Sequence, residues 1–386
     1  MNKLPMLDKD INCPHFPLCS GCQIDKAVDA PPILDEARRY FKAVGIADLK
    51  CRIGPATEWR YRAKLAVRGS FQEPLIGLYK EGTHEVVDIP LCKVHHPKIN
   101  QAVERLRSFI KRKKLSPYNE MTATGLIRYA QFVVERSTGR VQLSIVLNTN
   151  SLEIDIVKEL WDGNQDQFWH SLWLNGNTRR DNVIFGDKWQ LLDGEPLLWE
   201  KLGGVEICFQ PSSFAQANLE LYDEMLESIK RMVPQGTCVA EFYAGVGVIG
   251  LALAEQCREV RCSEVNPHAE FCFEQSRKRL SANTAERITW QQGRSAQLLQ
   301  LLDGAEVVIV DPPRQGLESA LLKKIMEAPT IRRLIYVSCG WKSFQRDANE
   351  LLGKGWVLSD VEVYLFFPGS DHIETLALFE TQVDMK

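Results

Sequence analysis

Two side chains near the C-terminus stand where parallel-sheet enzymes place reactive groups. Cys339 follows the apolar run Leu334-Ile-Tyr-Val337 and a serine, and this run has the character of a buried parallel strand. Asp311 follows a second such run, Val307-Val-Ile-Val310, and begins the sequence Asp-Pro-Pro-Arg. In open α/β sheets, ligands bind beyond the carboxyl ends of the strands. The pattern therefore makes Cys339 a candidate nucleophile, and the alternative is a free cysteine that is only packed in the core.

A candidate general base lies further along the chain. Glu374 precedes the apolar run Thr375–Phe379 and follows the turn-forming sequence Pro368-Gly-Ser370. A carboxylate beside a thiol can remove a proton from a substrate that the thiol has attacked. His372 is a rival base, and in the simplest alternative both side chains only cap the strand.

A glycine-rich turn indicates a nucleotide-like cofactor. The predicted strand Thr237–Tyr243 runs into Ala244-Gly-Val-Gly-Val-Ile-Gly250, whose glycines let the backbone approach a ligand closely. Glu264 ends the next predicted strand, where a carboxylate can accept hydrogen bonds from ribose hydroxyls. The turn alone fits dinucleotides as well as S-adenosylmethionine. The Asp-Pro-Pro sequence and Cys339 favour S-adenosylmethionine, because Asp-Pro-Pro at a strand end is typical of methyltransferases that act on planar nitrogen heterocycles.

A cluster of cysteines near the N-terminus has the spacing of a metal site. Cys13, Cys19 and Cys22 delimit a segment of ten residues, here called the cysteine loop, and Cys92 is a candidate fourth ligand. Four thiolates suit a tetrahedral zinc ion or an iron–sulfur cluster. The spacing between Cys13 and Cys19 favours the cluster, because it is longer than that of usual structural zinc loops. His15 is interpreted as a neighbour of the ligands. The alternative is a set of unrelated cysteines.

Composition and charge narrow the class of protein. The chain has 386 residues, so two domains are expected, and its net charge is −3. Residues 51–150 hold 17 Lys and Arg against 8 Asp and Glu, whereas residues 201–386 hold 19 against 25. The basic segment predicts a polyanionic partner. No apolar run is long enough for a membrane span and the first residues lack a signal core, so we expect a cytoplasmic protein without membrane attachment.

The predicted elements fall into two halves. Residues 1–207 read as a mixed α+β domain with a helix over 32–45, a strand over Glu58–Arg68 and a hairpin over Val183–Leu192. Arg60, Arg62 and Lys64 would form a basic face of that strand and contact RNA. Residues 208–386 alternate strands and helices, which predicts a doubly wound, mostly parallel α/β sheet.

Together these motifs resemble the RNA uracil-5 methyltransferase family, and the resemblance covers nearly the whole chain. It implies a Rossmann-like class I methyltransferase domain over 208–386, preceded by an iron–sulfur-cluster and RNA-binding α+β domain over 1–207. It implies S-adenosylmethionine as methyl donor and a [4Fe-4S] cluster. The site residues carried over are the nucleophile Cys339, the base Glu374, the cofactor contacts Gln216, Tyr243, Val248, Glu264 and Asp311, and the cluster ligands Cys13, Cys19, Cys22 and Cys92.

The resemblance also implies a reaction and a substrate. Methyl transfer to carbon 5 of a uridine would proceed through a covalent adduct between Cys339 and carbon 6. Within the family the chain looks most like the 23S rRNA uracil-747 enzymes, whose cysteine loop also lies at the very N-terminus. The alternatives are another rRNA or tRNA uridine, or a non-catalytic RNA-binding cluster protein. We expect a monomer that needs no protein partner.

Four residue positions depart from the family's usual pattern. Gly340 and Trp341 replace the Asn-Pro that follows the nucleophile, Val248 replaces a polar residue, and Glu241 replaces an aspartate.

Overall fold

The computed structural model describes residues 9–153, 155–162 and 166–381. The helices are α1 Pro32–Ala43, α2 Pro97–Lys113, α3 Glu159–Asp162, α4 Leu219–Met232, α5 Val248–Leu253, α6 His268–Arg277, α7 Ala282–Ala285, α8 Ser319–Glu327 and α9 Trp341–Gly353. The strands are β1 Lys50–Ile53, β2 Arg62–Gly69, β3 Pro74–Tyr79, β4 Val86–Asp88, β5 Ile127–Val134, β6 Val141–Leu147, β7 Trp169–Gly176, β8 Lys188–Gly194, β9 Leu198–Leu202, β10 Val205–Phe209, β11 Cys238–Phe242, β12 Glu259–Glu264, β13 Ile288–Gln292, β14 Val307–Val310, β15 Arg333–Ser338, β16 Trp356–Leu365 and β17 Glu374–Thr381. In these described ranges, none of the helices has both the length and the apolar character that a membrane crossing needs.

The larger sheet has the strand order β1-β16-β17-β15-β14-β11-β12-β13. Strands β11 to β15 are parallel, and β17 is antiparallel to both of its neighbours. Side chains of α4, α5 and α6 cover one face of this sheet, and those of α1, α8 and α9 cover the other. The predicted doubly wound, mostly parallel sheet is confirmed.

The smaller sheet has the order β4-β3-β2-β5-β6-β7-β8 and is antiparallel except between β6 and β7. Helix α2 packs on one face through Ile99, Val103 and Leu106. The predicted hairpin over 183–192 is wrong, because β8 pairs with β7 and the connection spans residues 177–187. The buried amide of Asn175 exchanges hydrogen bonds of 2.8 and 2.9 Å with the backbone of Gly186, and this fixes the longer connection.

Residues 32–53 belong structurally to the larger sheet. The predicted helix over 32–45 is confirmed as α1, and it buries Leu34, Ala37 and Phe41 against the sheet. Strand β1 then pairs in parallel with β16 at the sheet edge. The division of the chain at residue 207 stays a prediction. Residues 32–53 come before that boundary in the sequence, but they pack in the sheet whose other strands come after it.

Replacement of Phe41 by alanine should test how strongly α1 stabilises the larger sheet. Phe41 is fully buried, so Phe41→Ala should lower the free energy of unfolding by about 3–5 kcal/mol through lost transfer energy and a residual cavity. Phe271→Ala is the matched control, since Phe271 is 46% exposed and should cost less than about 1 kcal/mol. Urea titration followed by tryptophan fluorescence measures both; equal losses would contradict this account of α1.

Candidate active site

The register of the parallel strands brings the ends of β11 and β14 together. Phe242 pairs with Val310, and Val310 pairs with Tyr336 of β15. Tyr243 follows Phe242 and Asp311 follows Val310, so these two residues lie side by side at the same edge of the sheet. This edge is the carboxyl edge of the parallel strands, where α/β folds place ligands.

The antiparallel strand β17 places the predicted base beside the predicted nucleophile. Ser338 pairs with Thr375, so Cys339 comes directly after the end of β15 where Glu374 begins β17. Both side chains line a cleft with a volume of about 780 Å³. Other predicted site residues that line this cleft are Gln216, Tyr243, Glu264, Asp311 and His372.

Burial and crowded acidic groups dominate the electrostatics of the cleft. Burial raises the pKa of Cys339 to about 11, with the charges of Glu374 and Asp311 adding to the shift. Burial and the charge of Asp311 raise the pKa of Glu374 to about 8, and burial and the charge of Glu264 raise the pKa of Asp311 to about 7. Arg314 opposes the shifts of Cys339 and Glu374. A carboxyl with a pKa near 8 is matched to accepting a proton near neutral pH.

The two rival bases differ in environment. Glu374 is 7% exposed, whereas His372 is an exposed side chain on the loop before β17. Glu374 and Cys339 both line the cleft, and the pairing of Ser338 with Thr375 brings their positions together.

The glycine turn and Glu264 form the other half of the cleft. The Glu264 carboxylate accepts hydrogen bonds from the backbone N–H groups of Gly245, at 3.0 Å, and Asn266, at 2.9 Å. Tyr243 adopts a φ of +61°, which is strained for a side chain of this size, and its hydroxyl lies 2.9 Å from the Ser295 hydroxyl. These contacts fix the backbone of the turn, so its polar groups are preorganised for a ligand.

One predicted cofactor contact does not face the cleft. Val248 is the first residue of α5 and packs in the hydrophobic core, while Val246 lines the cleft instead. Glu241 lies buried beneath the turn, and burial raises its pKa to about 8. A Cβ atom at Gly250 would stand 2.5 Å from a Glu241 carboxylate oxygen. Glycine at position 250 thus leaves room for the Glu241 carboxylate and for the equally close Cys262 Sγ atom.

The cleft contains further side chains that sequence reasoning did not select as functional. Phe214 is 75% exposed and lines the cleft two positions before Gln216. The other side chains come after the carboxyl ends of β12, β13 and β14, and this location was the only feature of the sequence that could have identified them. They are Asn266, His268, Arg294, Arg314 and Glu318.

The sequence after Cys339 has a steric explanation. A Cβ atom at Gly340 would lie 2.8 Å from the Arg314 carbonyl oxygen, so the approach of the Asp-Pro-Pro-Arg segment excludes a side chain there. Trp341 packs against Phe41 at 5.6 Å between ring centroids and donates a 2.8 Å hydrogen bond to Glu36. The departure Gly340-Trp341 thus secures α1 against the active-site end of α9.

The four N-terminal cysteines share one small cavity. Cys13, Cys19, Cys22 and Cys92 all line a space of about 110 Å³. Burial and the charges of the other three raise the pKa of Cys22 to about 12. The donor type and the shared cavity fit a metal centre. Across residues 9–153, 155–162 and 166–381, however, no three His, Cys, Asp or Glu side chains are arranged to hold a metal ion as they stand.

The predicted basic face of β2 is largely occupied by protein contacts. Arg62 donates a 2.6 Å hydrogen bond to the Ser213 carbonyl, and Arg60 stacks 4.7 Å from the centre of the Trp59 ring. Lys64 is exposed. The expectation that all three contact RNA is therefore wrong for Arg62, whose guanidinium ties the smaller sheet to the cleft segment.

Comparison with known proteins gives matches to the C-terminal half of the chain and to nearly the whole chain. Residues 204–382 match the family model of tRNA (uracil-5-)-methyltransferases. A solved structure of a Pyrococcus abyssi tRNA (uracil-54, C5)-methyltransferase, in complex with S-adenosyl-L-homocysteine, superposes with a TM-score of 0.76 at 23% identity. The match covers 94% of this chain and 86% of that one, so nearly the whole chain shares that fold.

Two relatives match along most of their sequences. An uncharacterised RNA methyltransferase of Protochlamydia amoebophila is 45% identical over 97% of this chain and 99% of its own length. An uncharacterised RNA methyltransferase of Geobacter sulfurreducens is 28% identical over 95% of this chain and 76% of its own. The chain therefore belongs to a family of RNA methyltransferases, and its residues 204–382 are similar to the tRNA (uracil-5-)-methyltransferases.

Proposed function

We propose that this enzyme methylates carbon 5 of a uridine in RNA, with Cys339 as nucleophile, Glu374 as base and S-adenosylmethionine as methyl donor. The observation that carries the proposal is the meeting of Cys339, Glu374 and Asp311 at one end of the cleft that the glycine turn and Glu264 form at the other. The S-adenosyl-L-homocysteine in the Pyrococcus abyssi structure supports the cofactor.

The proposed steps balance without a further reactant. The Cys339 thiol loses its proton to water, and its thiolate adds to carbon 6 of the uracil to give an enolate. Carbon 5 then attacks the sulfonium methyl group and releases S-adenosylhomocysteine. Glu374 removes the proton from carbon 5, and the thiolate leaves as the double bond re-forms. The uridine has to leave its stack to reach Cys339.

The target is proposed to be 23S rRNA at a uracil-747-type site, on the strength of the sequence resemblance to those enzymes. A tRNA uridine is the second candidate, since the matching family model and the Pyrococcus abyssi enzyme are both named for tRNA. A non-catalytic RNA-binding protein is the third, and it predicts no methyl transfer to either RNA.

We also propose that Cys13, Cys19, Cys22 and Cys92 hold a [4Fe-4S] cluster. Their shared cavity lies beside Arg60, whose positive charge would favour an anionic thiolate-ligated centre. When bound, the cluster would supply a covalent cross-link between the N-terminal segment and the loop before α2.

Substitution of the predicted nucleophile and base should separate the two steps. Cys339→Ala should abolish methyl transfer, whereas Glu374→Gln should accumulate a covalent RNA–protein adduct, because the thiolate cannot leave until the carbon 5 proton is removed. Transfer of labelled methyl from S-adenosylmethionine to 23S rRNA and tRNA transcripts, with denaturing gels, measures both. Cys257→Ala is the control, a buried thiol remote from the cleft. Full activity of Cys339→Ala would refute the mechanism.

The pH dependence of Cys339 alkylation should report the charges around it. Glu374 raises the pKa of the thiol and Arg314 lowers it, and only the thiolate is alkylated. Glu374→Gln should therefore shift the alkylation midpoint to lower pH, and Arg314→Gln should shift it to higher pH, while Arg314→Lys keeps it near that of the parent. Peptide mass spectrometry after iodoacetamide pulses across roughly pH 8–12 measures the midpoint, or the relative alkylation rate at one pH where the midpoint lies above this range. Shifts in the opposite directions would contradict the site geometry.

Anaerobic purification should test the cluster. We expect a brown protein with about four iron and four sulfide per chain. Cys22→Ser should lose the colour and most of the iron, and Cys257→Ser should retain both. A colourless protein that contains zinc would overturn the cluster proposal.

A further inference from the structure

The loop that leads to Glu374 is held by the segment next to the cysteine loop. Residues 366–373 connect β16 to β17, and Gly369 lies at their centre. The Gly369 carbonyl accepts two backbone hydrogen bonds, from the N–H of Gln23 at 2.8 Å and of Ile24 at 2.9 Å. These donors directly follow Cys22 in the chain.

Gly369 is also in close steric contact with the cysteine loop. A Cβ atom at this position would stand 2.5 Å from the Ile11 Cδ1 atom and 3.2 Å from the Cys22 Sγ atom. Its φ of +95° is a conformation that residues with side chains rarely adopt. The positive φ favours glycine at this position, and a larger residue would push on Ile11 and Cys22.

Two further contacts tie the same loop to the N-terminal segment. The Phe367 ring lies 5.8 Å from that of Trp59 and also lines the catalytic cleft. The Asp371 carboxylate accepts a 2.8 Å hydrogen bond from the Ile33 N–H in the first turn of α1. Residues more than three hundred positions away in the chain thus hold the loop that leads to Glu374.

We propose that residues 11–24, which include the cysteine loop, position the catalytic base: they fix Gly369 and thereby set the path of residues 366–373 that places Glu374 beside Cys339. Gly369 is a positioning residue in this scheme. The proposal rests on the proposed function in one respect, the role of Glu374 as base. A general base has to lie within hydrogen-bond reach of its proton, so a small displacement of the loop slows proton removal strongly.

Gly369→Ala, made in the full chain as purified with its metal content, tests the proposal. Gly45→Ala is the matched control, because Gly45 has a nearly equal φ of +97° but a Cβ atom there would meet nothing within 4 Å. Both variants introduce the same backbone strain, and only the first pushes on Ile11 and Cys22.

Hydrogen exchange and adduct formation are the two measurements. In Gly369→Ala, the amides of Gln23 and Ile24 and the peptide 366–374 should exchange about tenfold faster or more. Turnover should fall about tenfold or more with little change in KM. The covalent RNA adduct should accumulate, because Cys339 can still add to the uracil when the displaced base no longer removes the carbon 5 proton. Gly45→Ala should match the parent in all three. A purely structural defect would lower adduct formation together with turnover.

Ile11→Ala provides a second route in case Gly369→Ala does not fold. It removes the side chain nearest to Gly369 without backbone strain, and Ile325→Ala is its control, a fully buried isoleucine of α8. Faster exchange of 366–374 in Ile11→Ala alone supports the proposal. Unchanged exchange of this peptide, or faster exchange with normal turnover and no adduct, overturns it. If Glu374→Gln forms no adduct while the exchange result holds, the base assignment fails and the coupling of the two loops stands.

Discussion

The active site depends on the register between β15 and β17. Because Ser338 is paired with Thr375, the nucleophile position follows the end of one strand at the point where the base position begins the other. Side chains alternate across a sheet, so a slip of one residue in β17 would turn Glu374 to the opposite face. A single antiparallel strand among parallel ones thus brings together two residues that are 35 positions apart in the chain.

The second constraint is electrostatic. The Cys339 thiol is half-buried in the cleft beside two carboxyl groups, and the Arg314 cation lowers the pKa of both the thiol and Glu374. Raising the pKa of Glu374 to about 8 makes it a better base near neutral pH, but the same negative charges disfavour the thiolate that starts the reaction. The arrangement therefore favours proton removal by Glu374 but lowers the fraction of Cys339 that is ionised. The charge of Arg314 partly restores that fraction by lowering the pKa of the thiol.

Much of the larger sheet was predictable because its strands are buried on both faces. Continuous apolar runs such as Val307–Val310 mark such strands, and the reactive residues directly follow them. The same rule located Asp311 and Cys339, whereas Glu264 was found as the acid at the end of the strand that follows the glycine turn. The contribution of residues 32–53 to this sheet was not predictable, because strand pairing between distant segments leaves no local signal.

The smaller sheet shows where local patterns mislead. Alternating Arg60, Arg62 and Lys64 suggested a face open to RNA, yet alternation reports which side chains share a face and not what covers that face. The hairpin expected over 183–192 failed because Asn175, from the preceding strand, supplies the hydrogen bonds that a tight turn would otherwise make within itself. In the larger sheet's helix α5, Val248 was predicted as a cofactor contact by resemblance alone, and its side chain packs in the hydrophobic core.

Cross-linking to RNA that contains 5-fluorouridine tests the central claim most directly. Fluorine replaces the proton that Glu374 would remove, so the adduct cannot resolve after methyl transfer. Incubation with S-adenosylmethionine followed by peptide mass spectrometry should find a methylated 5-fluorouridine nucleotide attached to Cys339. Methyl transfer to uridine-containing RNA together with no adduct at Cys339, or with the adduct on another cysteine, would contradict the account.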